Sequence, residues 1–558
     1  MPVPDHSTIP PQPAADSQRS SFNALWQRPV GSVESSAIET GPGPTAKTSP
    51  GSGVRTATPA TRNSTLRQIL DSLVSLAIAV IVFRAFVLEG YIISTGSMAP
   101  CLLGYHKRIE CPDCHYHFQF GVAFDQPVPA AEIASCPNCG QQTIDVSQVP
   151  RNSGDQLLVF KAAFPLRPPK RWEIVVFQNP TNPMQAYVKR LIGLPGETVQ
   201  IRDGDIFVNG VRQSKLLETQ RSMRIPVFDQ NFHANGSDWV PRWIASGNWQ
   251  SHGSRFASTV SESLEWVNYY NWPRLTPAEL EEQPGGTPQL RPAILTDTYG
   301  YNRPGSGGLP VRIHDLMLAA SLKFSTENSQ FVAMIPHRNR LAICQIDARQ
   351  PRVDVWVTPA STTAIDDALS GRLAPSASKL LSRDWFDSEL PFEFSTFDHQ
   401  IAIGIRDESM IAVSMDDLSR SIAQSGNQPA LVQQSSGHAV VYPEATTYPE
   451  ATVYPEATIG GRGGGSATDA IHAASETAVP TVASSTNADT PDLEALRIPV
   501  RFGSIGSAIE VSDLRLFRDV HYTADDYKHA TDTPLEIGSD EYFFLGDNSP
   551  VSLDSRAW

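Results

Sequence analysis

Three groups of residues in this chain have types and spacings that do chemistry. The first lies in "ISTGSMAP", residues 93–100, where Ser94, Thr95, Gly96 and Ser97 stand together. Hydroxyl residues beside a glycine are poor helix material, so the segment reads as a tight turn that presents hydroxyls. A serine hydroxyl is a weak nucleophile; it needs a positioned base, and its attack needs donors for the oxyanion that forms. The second group is "AYVKRLIGLPGE", which puts Lys189 in an apolar strand with Tyr187 and Leu191 at alternate positions on the same face. Desolvation lowers a lysine pKa, and a neutral amine near pH 7 is a suitable base for a serine. A lone lysine in a strand is also, and more commonly, a solvent-facing edge residue. None of the 13 histidines sits in a motif such as GxSxG that would nominate it instead.

The third group is "CPDC" and "CPNCG", Cys111, Cys114, Cys136 and Cys139, with 21 residues between the pairs. Two such turns present four thiolates to one tetrahedral ion, the pattern of a zinc ribbon. Two CxxC disulfides are the alternative, although such bridges are strained and more often redox-active. His106, His115 and His117 are close by in sequence, but four cysteines already fill the coordination sphere, so the expected zinc is structural.

These groups need elements to position them. Residues 1–63 are rich in Pro, Ser, Thr, Gly and Ala and read as a disordered tail. Residues 64–89 hold an apolar run interrupted only by Asp71 and Arg84, long enough to cross a bilayer as one helix. Arg55, Arg62 and Arg67 precede or open it, which predicts a cytoplasmic N-terminus and an external remainder. A buried core helix is the alternative reading. The serine segment is 90–105 and the cysteine-bearing stretch 106–148. Residues 149–210 read as short strands, with "RDGD" as a hairpin turn. Residues 211–535 are expected to form a separate, inserted β-rich domain, and its strand lengths and turn spacing suggest a sandwich. A low-complexity linker, about 425–495, interrupts it with three copies of "YPEAT" and a glycine run. Residues 536–558 close the chain. The formal net charge of −15 argues against a general nucleic-acid partner.

The set "STGSMAP", "GDQLLVFK", "YVKRLIGLPGE" and "GDNSPVSLDSR", in this order after an N-terminal apolar helix, resembles the type I signal peptidases of bacteria. The resemblance spans about a quarter of the chain. It implies a mainly β, signal-peptidase-like catalytic core on one transmembrane helix of the inner membrane, with the catalytic domain on the outer face. It implies a serine endopeptidase that removes signal peptides from exported preproteins through an acyl-enzyme, with no catalytic cofactor. Ser97 is then the nucleophile and Lys189 the general base. The Ser97 N–H and the Thr95 hydroxyl make the oxyanion hole, and Ser552 hydrogen-bonds the Lys189 amine. Asp554 and Arg556 form a supporting ion pair, with Gly546, Asp547 and Asn548 in the same closing motif. Met98 and Tyr187 are the implied substrate-binding residues, and Met98 and Pro100 shape the turn. The expected partners are signal peptides and the lipid bilayer.

The chain departs from the family pattern in places. Cys101 stands where the family usually has threonine, and Ser549 where a basic residue commonly follows "GDN". The family usually continues beyond the position of Trp558, and the cysteine pairs are an addition to it. A competing reading is a membrane-anchored binding protein with a degenerate protease core, in which the external β domain binds a ligand.

Overall fold

The computed structural model describes residues 65–558 apart from 124–131, 180–181, 183–184, 235–239, 273–291, 307–308, 361–362, 417–497 and 525–526. The tail 1–63 and the linker 425–495 lie outside the described residues.

Apolar residues without charge fill Thr65–Phe86 between Asp71 and Arg84, and this stretch is a 22-residue helix. Arg84 in its last turn meets the negative end of the helix dipole. The window Arg67–Phe86 has a mean hydropathy of 2.2, and none of it is buried against protein.

The rest of the described chain is mainly β. Leu88–Ile92 pairs antiparallel with Gln156–Phe160. Alternating apolar residues in "IVVFQ" and "AYVKRLIG" give two strands, Ile174–Gln178 and Ala186–Gly193, paired with Val175 opposite Lys189. The closing motif supplies the third strand, Phe543–Leu545, on the other side of Ala186–Gly193. Lys189 therefore stands on a central strand and not on an edge. Thr198–Arg202 and Asp205–Val208 form the expected hairpin, and Asp203 and Gly204 carry it round with positive φ. Val211–Arg212 and Leu535–Glu536 join the same four-stranded sheet, so the boundaries expected at 211 and 535 fall within a sheet.

Between them stand two larger antiparallel sheets. The strands expected from "LMLAASLKF", "QFVAMI", "RLAICQIDA" and "RVDVWVT" form at Leu316–Phe324, Ser329–His337, Arg340–Asp347 and Arg352–Pro359. Leu316–Phe324 pairs in one sheet with Leu390–Ser395 and Ile509–Arg518; the other three lie in the second sheet with Arg501–Gly506. Side chains of both sheets, among them Leu318, Phe392, Phe331 and Phe502, share one buried core. Trp243 and Trp249 of the aromatic clusters lie in that core.

Candidate active site

Lys189 Nζ lies 2.5 Å from Ser97 Oγ. The sequence that makes the strand also buries the lysine: Val175 pairs opposite Lys189, and Leu191 and Ile192 are buried beside it. Lys189 is only 4% exposed. Burial lowers its pKa to about 8, against the pull of the Asp554 and Asp547 carboxylates and with help from the Arg556 charge. At that value about a tenth to a fifth of the amine is neutral between pH 7 and 7.4, far more than for an ordinary lysine, and that fraction is able to take a hydroxyl proton. Tyr187, half-buried, lies with its ring centroid 5.4 Å from the Lys189 amine. Phe177 and Trp558 stand edge-on to or tilted against Tyr187, and Phe177 stacks on Phe544 at 4.3 Å. This aromatic group helps to keep the amine dry.

The serine turn is held from behind by the closing motif. The Asn548 N–H donates to the Ser97 carbonyl at 3.0 Å, and its side-chain amide to the Gly96 carbonyl at 3.0 Å. Gly546 must be glycine: a Cβ there would lie 2.2 Å from Ser552 Oγ and 2.4 Å from the Ser97 carbonyl oxygen. Among the described residues the Ser97 N–H donates no hydrogen bond, as an oxyanion donor requires. Thr95 is exposed. The Ala99–Pro100 peptide is cis.

The implied ion pair forms: Asp554 and Arg556 are fully buried and joined by two bonds of 2.8 Å. Arg556 also donates to Ser549 Oγ at 2.8 Å and to the Thr523 carbonyl at 2.7 Å, and lies over the Tyr527 ring. A basic side chain at 549 would face Arg556 in this buried place, so the serine suits it. Asp547 is held by Arg190, through bonds of 2.5 and 2.7 Å. Cys101 sits 3.8 Å from Arg190, and burial and Asp547 push its thiol up to about 11, so it stays protonated. Two residues sit otherwise than expected. Ser552 Oγ is buried beside Gly546 with no hydrogen-bond partner among the described residues, so its bond to Lys189 is not made. Met98 is 1% exposed and packs inside.

Residues 66–242 match the family model described as signal peptidase, peptidase S26. This segment is similar to that family. It carries both Ser97 and Lys189. A probable signal peptidase I-2 of Synechocystis is 45% identical over 62 residues, covering 10% of this chain and 28% of the relative. A signal peptidase I of Leptolyngbya laminosa is 44% identical over 64 residues, 10% and 31% of the two chains. One from Rickettsia bellii is 24% identical over 156 residues, 28% and 44%. The chain thus matches less than half the length of these relatives. A solved carbohydrate-binding module from Bacillus subtilis covers 31% of this chain and 79% of its own at 10% identity, but its TM-score of 0.19 carries no argument about fold.

The four cysteines lie within the matched segment as one buried cluster. Their sulfurs all lie within 4.8 Å of one another, with Cys111 and Cys139 at 3.5 Å and Cys114 and Cys136 at 3.7 Å. No two are bonded. Ligands at zinc–sulfur distance on a tetrahedron stand about 3.8 Å apart, so the set fits the ion. The two knuckles repeat each other. The fourth residue after the first cysteine, His115 or Gly140, has positive φ and donates back to the carbonyl of Cys111 or Cys136.

Residues 299–302, "YGYN", also reach the closing motif, and sequence reasoning missed them. Tyr299 donates to the Asp547 carbonyl at 2.6 Å. Asn302 and Asn548 exchange side-chain hydrogen bonds of 2.8 and 2.7 Å. Arg190 was missed as well; a second cation next to Lys189 in an apolar strand was its available signal.

Proposed function

We propose that this chain is a membrane-anchored serine endopeptidase that cleaves signal peptides from preproteins with a Ser97–Lys189 dyad. The observation that carries the reading is the 2.5 Å approach of a buried, pKa-lowered lysine amine to a serine hydroxyl. The signal peptidase names of the relatives supply the substrate class. As Ser97 Oγ attacks the scissile carbonyl, the neutral Lys189 amine takes its proton. The Ser97 N–H, with the Thr95 hydroxyl, stabilises the oxyanion. The tetrahedral intermediate collapses and Lys189 passes the proton to the leaving amine. An acyl group remains on Ser97 Oγ. Lys189, neutral again, takes a proton from water as it attacks the acyl carbon; the bond from the acyl carbon to Ser97 Oγ then breaks, Lys189 returns the proton to Oγ, and the product acid leaves. Asp554, Arg556, Asp547 and Arg190 fix the strand and turn that hold the dyad.

The exposed, apolar Thr65–Phe86 helix supports a single-pass anchor in the inner membrane, with the peptidase on the outer face. Two sheets with one shared core support an inserted sandwich between the hairpin and the closing motif. Cys111, Cys114, Cys136 and Cys139 would hold a structural zinc ion, which supplies no catalytic step and ties the two knuckles together.

The test is cleavage of a preprotein with an A-x-A site by the full-length protein in detergent. Cleavage at the expected bond is the expected result, with a loss of about two to three orders of magnitude in both Ser97→Ala and Lys189→Ala. Cleavage that survives either substitution would sink the dyad.

A further inference from the structure

Asn548 holds two successive carbonyls of the nucleophile turn, those of Gly96 and Ser97. That grip requires the Asn548 amide to face one way. Turned by 180°, it would aim its oxygen at the Gly96 carbonyl, acceptor against acceptor. The residue that faces this amide is Asn302. It donates to Asn548 Oδ1 at 2.8 Å and accepts from Asn548 Nδ2 at 2.7 Å, so both ends of the Asn548 amide are occupied.

The neighbours of Asn302 bear on the same turn. The Tyr301 ring occupies the space in front of Gly96, where a Cβ would lie 2.3 Å from Tyr301 Cε1. This explains why a glycine precedes the serine. The Tyr301 carbonyl accepts from the Gly121 N–H at 2.8 Å, and its hydroxyl donates to the Tyr105 carbonyl at 3.3 Å. Upstream, Arg518, 1% exposed, donates to the carbonyls of Asp297 and Thr298 and lies 4.4 Å over the Tyr299 ring. Residues 299–302 therefore form a strap. One end is fixed to the Ile509–Arg518 strand and the other to the catalytic turn and closing motif.

We propose that Asn302 is a positioning residue for the nucleophile: through Asn548 it sets the Gly96–Ser97 carbonyls, and with them the line from Ser97 Oγ to Lys189. The inference rests on the dyad reading for its catalytic consequence. A displacement of about 1 Å at such a contact costs on the order of 100-fold in rate. Asn302 touches neither substrate nor reacting atoms, so its loss acts on turnover and not on substrate binding.

The experiment compares the full-length protein with Asn302→Ala and Asn302→Asp in two measurements. In preprotein cleavage, Asn302→Ala should lower kcat by about 10- to 100-fold with KM within twofold. Asn302→Asp, which keeps an acceptor for Asn548 Nδ2 but sets a carboxylate oxygen against Asn548 Oδ1, should not recover the loss. In amide hydrogen exchange, residues 94–104 should exchange about tenfold faster in Asn302→Ala, while residues 329–347 of the inserted sheets keep their protection. Unchanged exchange at 94–104 would overturn the strap, and so would a rise shared with 329–347, because that reports general loosening. If the parent cuts nothing, the dyad reading fails; the exchange measurement still decides the strap.

Discussion

Burial turns Lys189 from an ordinary ammonium into an amine that is half neutral at about pH 8. The rate of cleavage should therefore rise with pH and level off above about 8, and the kcat/KM profile measures this. The same shift carries a stability cost with a definite sign. Between about 8 and the ordinary value of 10.5, the unfolded chain holds a proton that the folded chain has released, so stability rises with pH across that window. Below it both states are protonated, and the folded state carries a constant cost of about 3 kcal/mol. Lys189→Met should thus be inactive yet melt higher than the parent at pH 6. The gap should close towards pH 10.5; an equal melting temperature at pH 6 contradicts the shift. Lys189 was legible because an apolar strand with one lysine is visible in sequence. Asn302 was not: "YGYN" reads as an ordinary turn, and its meaning arises from a contact with Asn548, 246 residues away.

At the scale of elements, the strands around the site were read closely, because alternation and turn residues are local signals. Ala186–Gly193 and the Asp203–Gly204 hairpin are examples. What local signals do not carry is pairing. That Phe543–Leu545 lies beside Ala186–Gly193, making the lysine strand central, depends on the intervening chain, residues 194–542, folding back. The resemblance implied an ion pair of Asp554 with Arg556, and the two side chains do meet; it also placed Ser552 on Lys189, where the structure puts it beside Gly546. The cysteine knuckles carry their own prediction. Purified protein should contain about one zinc per chain, as expected for a closed four-cysteine site. Chelation should lower the melting temperature and raise exchange over 106–121 and 132–148. A metal-free preparation with unchanged melting would remove the ion from the account. The knuckle also docks onto the chain beyond the hairpin: Asn138 donates to the carbonyls of Asp229 and Phe232 and accepts from the Asp229 N–H.

At the scale of the whole molecule, the two larger sheets are not a passenger on the strands around Ser97 and Lys189. Ile225–Asp229 pairs with Ile509–Arg518, the strap runs from that strand to the serine turn, and Lys215 is buried between Asp398 and Asp519. Urea should accordingly abolish cleavage and change tryptophan fluorescence at one shared midpoint. An active species that outlasts the fluorescence change would show that the sheets are separable. The order of the pieces along the chain has a further effect. Asn548 follows Gly96 by 452 residues. At the usual pace of synthesis, a ribosome needs on the order of 20–90 s to travel that distance. Throughout that interval Ser97 has been made but the two Asn548 bonds to its turn have not. The hold of Asn548 on the serine turn therefore forms only once residue 548 has emerged, long after Ser97 and Lys189 have been made.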